Sequence, residues 1–296
     1  SNLASKRKRA IGLIIAGFTD NNNKNTFLME IMQGVFTYVR EQDLELSMYP
    51  IEVDEQLQTT YRQFCLQRNL AGAIITGISI DDPYFRELIA SDIPCVAIDQ
   101  HIQGKYTGYV ESDNYQAAYL QAKYLTEIGH ESFMLVEGSD GAHVTLARRA
   151  GYLKALQEAN IPTEQIVQLS GNFSESRTYE LAKSYFQEHY GRNPVTAILC
   201  MSDLMALALW RVLKELNYSI PRDFSLAGFD GNPLMEYIDP PIATVKQPAL
   251  QMGYESAKLL MSIIRKETSE DEHKVVLPSE LQWNASCDSP RSEIMI

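Results

Sequence analysis

The sequence predicts an α/β protein with two similar lobes, each built on a parallel sheet, and a ligand cleft between them. Short apolar runs alternate with segments of helical periodicity, a pattern typical of βαβ units, whose parallel sheets are covered by helices. This order of elements restarts near Ser132, which indicates a second unit of the same kind. Polar residues follow the ends of several apolar runs, and ligands bind beyond such strand ends in open parallel sheets.

In the first half, Leu28, Ile31 and Val35 recur at helical spacing and predict a helix directly after the first strand. The predicted strands of this half are 11–16, 44–49, 71–76 and 95–98, and the predicted helices lie near 28–39, 54–67 and 83–90.

In the second half, Ser202 or Asp203 is expected to cap a helix over 204–217, and Pro221 blocks its continuation. Short strands at 108–110 and 244–245 are expected to carry the chain across the hinge. The other strands of this half are predicted at 133–136, 165–169, 196–200, 224–229 and 243–247, and the other helices at 146–159 and 174–188.

The expected domain limits follow from this repeat. Residues 1–9 form a linker or hinge remnant and 290–296 a tail. The N-terminal lobe is expected to comprise 10–111 plus 247–273, and the C-terminal lobe 112–246 plus 274–289.

Composition excludes several classes of protein. The chain has 296 residues, of which 45% are hydrophobic, enough for two ordinary domains with their own cores. No apolar run reaches the roughly 18 residues of a membrane span, and the first residues lack a secretion signal. Four widely separated cysteines without metal spacing indicate reduced thiols and a cytoplasmic protein.

The formal charge of −12 disfavours nucleic-acid binding by this chain alone, because such binding neutralises phosphates with Lys and Arg. The basic run at 6–9 is the exception. It is interpreted as a solvated linker, with a phosphate contact as the alternative, and its position before the first strand fits a tether to something upstream.

The expected ligand residues lie at strand ends. Asp99 and Asp230 occupy corresponding positions of the two halves, and ionised carboxylates accept hydrogen bonds from a ligand rich in hydroxyl groups. Taken singly, each is better explained as a cap or turn former, but their matched placement favours binding. The other strand-end positions are Phe18, Thr76, Glu137, Ser202 and, at the final crossover, Gln247.

Three further side chains complete the expected site. The Arg148 guanidinium can grip two neighbouring ligand oxygens and balance buried carboxylates. Phe27 and Phe173 follow polar turns, where an aromatic ring covers the apolar face of a sugar, although either also suits a core position. Arg149 is expected to face solvent. His143 is expected to lie in an exposed loop, with a position in the cleft as the alternative.

Binding is favoured over catalysis. The sequence has no phosphate-binding glycine loop, dinucleotide fingerprint, metal spacing or nucleophile motif, so no enzyme activity, metal or cofactor is expected. An acid/base role for Asp99 and Asp230 of the glycosidase kind has no further support in the sequence.

Several motifs together resemble the effector-binding domain of the lactose-repressor (LacI/GalR) family of bacterial transcription regulators, and the resemblance covers roughly residues 10–286. Its most specific parts are TAI (196–198), SDLMAL (202–207), IPRDFSLAGFD (220–230) and PPIATVKQ (240–247). By motif matching, the family's effector contacts fall on Phe27, Asp99, Arg148, Phe173, Ser202, Asp230 and Gln247. Ser202 and Gly231 depart from commoner family residues, which leaves the identity of the ligand open.

The resemblance implies two Rossmann-like lobes of the periplasmic-binding-protein type, a homodimer, and operator DNA bound through a helix-turn-helix head that is expected to have been removed. The effector expected from the polar residues is a monosaccharide or small glycoside, with a purine as second choice. The rival interpretation is a periplasmic sugar receptor of a transporter, which shares the fold but is expected to be monomeric.

Overall fold

Two parallel sheets organise the protein, and they confirm the predicted fold class. The structure is a computed structural model that describes residues 10–17, 26–102, 104–189, 191 and 194–290. The predicted linker at 1–9, the expected ligand residue Phe18 and most of the tail lie outside these residues. Among the described residues, no helix combines the length and the apolarity that a membrane crossing requires.

The first sheet contains six of the described strands, all parallel. Its strands are β1 (Ala10–Ala16), β2 (Leu46–Ile51), β3 (Leu70–Thr76), β4 (Cys95–Ile98), β5 (Thr107–Ser112) and β11 (Lys274–Leu277). They run in the order β2-β1-β3-β4-β5-β11. The helices of this lobe are α1 (Thr26–Glu41), α2 (Val53–Gln58), α3 (Tyr61–Gln67), α4 (Pro83–Ile89) and α10 (Ala249–Arg265).

The second sheet repeats this winding in the order β7-β6-β8-β9, again parallel. Its strands are β6 (Phe133–Glu137), β7 (Ile166–Ser170), β8 (Ala197–Cys200) and β9 (Ser225–Ala227). Its helices are α5 (Asn114–Glu127), α6 (His143–Glu158), α7 (Glu175–Ser184), α8 (Asp203–Glu215) and α9 (Leu234–Tyr237). In both sheets the strand order reverses beside the first strand of the lobe, and such switch points open a crevice at the carboxyl ends of the strands.

Both faces of the first sheet are buried, which explains its nearly continuous apolar strands. Leu13 and Ile15 of β1 belong to the cluster that packs against α1 and α10, whereas Ile14 belongs to the cluster on the opposite face. Helices α1 and α10 approach so closely that a Cβ atom on Gly253 would lie 2.0 Å from the carbonyl oxygen of Ile31. Glycine is therefore required at this helix contact.

The chain crosses between the lobes three times. It leaves the first sheet after β5, returns after β10 (Thr244–Lys246), and crosses again between β11 and β12 (Glu280–Gln282), which pairs antiparallel with β10. The expectation that 274–289 belongs to the C-terminal lobe is wrong for Lys274–Leu277, because these residues pair in parallel with β5 in the first sheet. The four-residue run KVVL does not indicate which of the two sheets this strand joins.

Other differences from the predicted elements have local causes. The single helix expected over 54–67 is two helices, because Thr60 is extended and its hydroxyl caps α3 by accepting from Gln63 N at 3.2 Å. The helix expected over 174–188 ends at Ser184 and continues as a π-helical turn. Three helices, α5, α9 and α10, were not predicted from the sequence. Small residues lie where α5 meets α6, since a Cβ atom on Gly151 of α6 would be 3.1 Å from Cβ of Ala118 in α5.

Candidate functional site

A cavity of about 310 Å³ lies between the carboxyl ends of the two sheets. The seven ligand residues expected from the sequence all line it, together with Thr76 from the end of β3. These seven are Phe27, Asp99, Arg148, Phe173, Ser202, Asp230 and Gln247. Segments more than two hundred residues apart in sequence therefore meet at one site.

Three of these residues have a backbone conformation that L-amino acids rarely adopt. The φ angle is 60° at Asp99, 56° at Phe173 and 129° at Asp230. Each residue comes after a strand of its lobe, where the chain turns sharply into the cavity wall. Backbone strain of this kind costs on the order of 1–3 kcal/mol and concentrates at ligand sites, where the surrounding structure maintains it.

Arg148 lies at the centre of the buried polar network. Its side chain is only 3% exposed, and its guanidinium carbon lies 3.8 Å from the centroid of the Phe229 ring. Its Nε donates to Asn114 Oδ1 at 2.8 Å, and its Nη1 donates to the Met201 carbonyl. The guanidinium also lies 3.9 Å from the Asp230 carboxylate. Arg148 is thus fixed by the protein before any ligand arrives.

Asp230 is held by Gln247 of the crossover, which is bonded in turn to Ser112 of the first lobe. Gln247 Nε2 donates to Asp230 Oδ1 at 2.8 Å, and Gln247 Oε1 accepts from Ser112 Oγ at 2.6 Å. Burial raises the pKa of Asp230 above its usual value, and the neighbouring Asp203 carboxylate raises it further, while Arg148 opposes both. The Asp203 carboxylate accepts in turn from Thr244 Oγ1 at 2.7 Å, which fixes the adjoining loop.

Asp99 presents an unsatisfied acceptor. Within the described part of the chain, its buried Oδ1 has no hydrogen-bond partner. Burial raises the pKa of this carboxyl from 3.8 to about 6, although the Arg148 charge lowers it. A buried acceptor without a partner costs about 1–3 kcal/mol, and a ligand that donates to it removes this penalty.

The aromatic residues approach the cavity from both lobes. Phe27 lies in the first turn of α1, and residues 18–25 before it are outside the described part of the chain. Phe173 precedes α7, and its ring lies against Gly138, where an added Cβ would come within 2.0 Å of the Phe173 ring. The absence of a side chain at Gly138 therefore creates the space that this ring occupies.

Of two further residues at strand ends, Ser202 lines the cavity and Glu137 does not. Ser202 is the N-cap of α8 and accepts from Met205 N at 3.3 Å, so its hydroxyl hydrogen remains to be donated. Glu137 is the last residue of β6, but it does not line the cavity. Its two oxygens accept from Arg149 at 2.8 and 2.7 Å, so the expectation of a solvent-facing Arg149 is also wrong.

Some cavity-lining residues were not predicted from the sequence. Ser79, Gln100 and Ser139 follow β3, β4 and β6, one to three residues beyond the positions that were singled out. The turn-forming composition of these segments was visible in the sequence, but it does not indicate which residue of a turn faces the cavity.

The two lobes also touch at the rim of the cavity. Ile80 N donates to the Gly141 carbonyl at 3.0 Å, and the backbone N–H of His143 donates to Gln100 Oε1, also at 3.0 Å. His143 begins α6 and stacks on His101, with ring centroids 3.5 Å apart. The expectation that His143 lies in an exposed loop is therefore wrong. These contacts enclose the cavity between the lobes.

Comparison with known proteins agrees with this architecture. Residues 122–287 match a family model described as a periplasmic binding protein-like domain. The HTH-type transcriptional regulator MalR of Clostridium butyricum is 37% identical over 295 residues, covering 96% of this chain and 84% of that protein. The HTH-type transcriptional repressor PurR of Vibrio atlanticus (strain LGP32) is 28% identical over 271 residues, covering 91% of this chain and 78% of that repressor.

Among solved structures, a LacI family transcriptional regulator from Enterococcus faecium with bound ribose superposes with a TM-score of 0.80 at 25% identity. The match covers 95% of this chain and all of the other. The likeness to regulators rather than transport receptors agrees with the motifs found in the sequence. The chain therefore belongs to the LacI family of transcription regulators and forms a periplasmic-binding-protein-like effector-binding domain.

Proposed function

We propose that this domain binds a small sugar, a monosaccharide or small glycoside, in the cavity between its lobes. The observation that carries the proposal is the buried Asp99 Oδ1, which has no hydrogen-bond partner among the described residues. A carboxylate oxygen accepts hydrogen bonds, so the missing partner is a donor such as a sugar hydroxyl. The Asp230 carboxylate supplies a further acceptor and the Arg148 guanidinium a donor in the same cavity.

The shape of the cavity supports one small ligand. A volume of about 310 Å³ lies near the lower end of the range of about 300–1,000 Å³ found for small-molecule sites. Phe27 and Phe173 provide aromatic faces for the C–H surface of a sugar ring. The bound ribose of the Enterococcus faecium relative gives independent support for this ligand class.

The ligand acts by shifting the population of lobe orientations. An effector that contacts both lobes binds more tightly when they are closed, so it favours that arrangement. In a homodimeric, cytoplasmic regulator, this reorientation changes the spacing of two helix-turn-helix heads and hence the affinity for operator DNA. The names of the HTH-type relatives support this part of the proposal. Its role is regulatory binding without turnover of the ligand.

The test is thermal unfolding of the domain against pentoses, hexoses, disaccharides, their phosphates and purines. A ligand at about one hundred times its dissociation constant adds roughly 2.7 kcal/mol to the free energy of unfolding. We expect a sugar to raise the midpoint in the native protein and to have little effect in Asp230→Ala. A response to purines alone would contradict the sugar assignment, since Arg, Asp and Phe side chains also suit a purine.

The assembly has its own test. Sedimentation velocity of the domain is expected to show a homodimer, whereas a monomer at all concentrations would support the transporter-receptor alternative. Operator binding is measured with the regulator carrying its DNA-binding head. There, the sugar identified by unfolding should change the apparent affinity for DNA.

A further inference from the structure

We propose that His101, Glu111 and His143 form a binding site for a divalent transition-metal ion such as Zn²⁺ at the rim of the cleft. His101 follows β4 and Glu111 lies in β5, so both belong to the first lobe. His143 begins α6 of the second lobe. An ion held by all three residues therefore joins the lobes at a point separate from the effector cavity.

The ligand atoms already converge. One atom from each side chain lies within 4.8 Å of the other two. His101 Nε2 is 2.8 Å from Glu111 Oε1, and His143 Nε2 is 3.6 Å from Glu111 Oε2. With metal–ligand bonds of about 2.0–2.1 Å, tetrahedral ligand atoms are separated by about 3.4 Å. The 3.6 Å separation is close to this value, whereas the 2.8 Å separation is a hydrogen bond to the other carboxylate oxygen, so the side chains must rotate when an ion binds.

Neighbouring groups keep the two imidazoles beside Glu111. The Tyr109 ring stacks on His101 with centroids 4.2 Å apart, and His143 stacks on His101 at 3.5 Å. The backbone of His143 is fixed by Gln100, whose Oε1 accepts from its N–H at 3.0 Å. Tyr109 and Gln100 do not themselves bind the ion, and contacts of this kind orient the residues that do.

The donor set selects the class of ion. Two imidazoles and one carboxylate suit Zn²⁺ and its first-row neighbours, whereas Mg²⁺ and Ca²⁺ require mostly oxygen ligands. Three protein ligands leave a fourth position to water. The carboxylate side chain is 11% exposed and the His101 side chain 40% exposed, so solvent reaches the site.

Because the ligands come from both lobes, the ion stabilises the closed arrangement. This consequence rests on the proposed function. If a sugar also favours closure, then Zn²⁺ raises the affinity for the sugar, and the sugar raises the affinity for Zn²⁺ by the same factor.

The site is tested by calorimetric titration of the chelator-treated domain with Zn²⁺ in the absence of sugar. We expect one strong site per chain, and Mg²⁺ at the same concentration should not compete. His143→Phe keeps an aromatic ring against His101 but has no nitrogen ligand, and it should weaken Zn²⁺ binding at least tenfold. Tyr109→Phe, which changes a stacking neighbour without removing a ligand, is the matched control and should bind as the native domain does.

Three results would overturn the proposal: no strong Zn²⁺ site, equal affinity in His143→Phe, or an equal loss in Tyr109→Phe. Substitution with Co²⁺ provides a second measurement, since the visible absorption of the bound ion reports coordination by nitrogen and oxygen and should disappear in His143→Phe. Neither measurement involves sugar. A failure of the metal site is therefore distinguishable from a failure of the sugar assignment.

Discussion

Gln247 donates its side-chain amide to the Asp230 carboxylate at 2.8 Å, so the segment that crosses between the lobes is bonded directly to the ligand cavity. The other end of the same amide accepts from Ser112 Oγ at 2.6 Å, at the first crossing of the chain. Ser112 is fully buried and Gln247 is 2% exposed. A ligand that contacts Asp230 therefore acts on a hydrogen-bonded hinge rather than on an isolated wall of the cavity.

Replacing Gln247 by Met should reduce the closure of the lobes on ligand binding without abolishing the binding itself. The substitution keeps the approximate volume but leaves Ser112 and Asp230 without their partner, at a cost of about 1–3 kcal/mol in the free energy of unfolding. Effector binding should persist at reduced affinity, while the ligand-dependent decrease in radius of gyration becomes smaller. Gln251→Met, an exposed position of α10, is the control and should change neither quantity. An unaltered scattering response in Gln247→Met would refute the hinge role.

Replacing Arg148 and replacing Asp230 should have different effects on stability. Asp230→Ala removes a ligand acceptor and should weaken effector binding by about 1–3 kcal/mol. Arg148→Met removes the only charged partner that the described residues place within 4.0 Å of the Asp230 carboxylate, so it should also lower the free energy of unfolding by about 3 kcal/mol or more. Chemical unfolding and calorimetric binding measure the two effects separately. Equal affinity in both variants and the native protein would contradict the site assignment.

Arg149→Met is the control for the arginine substitution. Its partners Glu137 and Asp140 lie away from the cavity, and the Arg149 side chain is 26% exposed. We expect no loss of effector affinity, although stability falls because the nearly buried Glu137 carboxylate loses its partner. A large fall in affinity on replacing Arg149 would indicate that the polar network outside the cavity determines binding.

The stability of the ligand-free domain should fall as pH rises from about 4 to about 6. Asp99 has a pKa near 6 in the folded protein against 3.8 when unfolded, so the folded state holds the proton more tightly. Its contribution is fully present below the unfolded value and is lost as pH rises through the folded value. The shift corresponds to roughly 2 to 3 kcal/mol at about 1.4 kcal/mol per pKa unit.

Comparison of the native domain with Asp99→Asn measures this contribution. Urea titration at several pH values gives the free energy of unfolding of each protein. The difference between the two proteins should change from about pH 4 to about pH 6 and then level off. The raised pKa of Asp230 acts in the same direction in both proteins. A sugar that donates to ionised Asp99 should bind more tightly as pH rises through the same range. A difference between the proteins that stays constant with pH would show that Asp99 is already ionised.

Strand ends could be predicted from the sequence because each lies where an apolar run stops. Asp99, Ser202 and Asp230 were identified in this way, and all three line the cavity. The sequence did not determine which way a strand-end side chain points. Glu137 has the same sequence context, but it turns to Arg149, a pairing set by how α6 packs on the sheet. Likewise, Lys274–Leu277 joins the first sheet through long-range pairing with β5. Such contacts depend on tertiary geometry, which local periodicity does not encode.

Gly138 was not predicted from the sequence to be part of the site, but it lies against the Phe173 ring that lines the cavity. In Gly138→Ala, the new Cβ would lie 2.0 Å from Cζ of Phe173, so the aromatic ring must move. Because Phe173 lines the cavity and is held at a φ of 56°, we expect the ring to shift into the ligand space and the effector affinity to fall at least tenfold. The double variant Gly138→Ala/Phe173→Leu has a smaller side chain at the point of contact and should recover part of the binding. If Gly138→Ala alone binds the effector as tightly as the native domain, then the Phe173 ring does not contact the ligand.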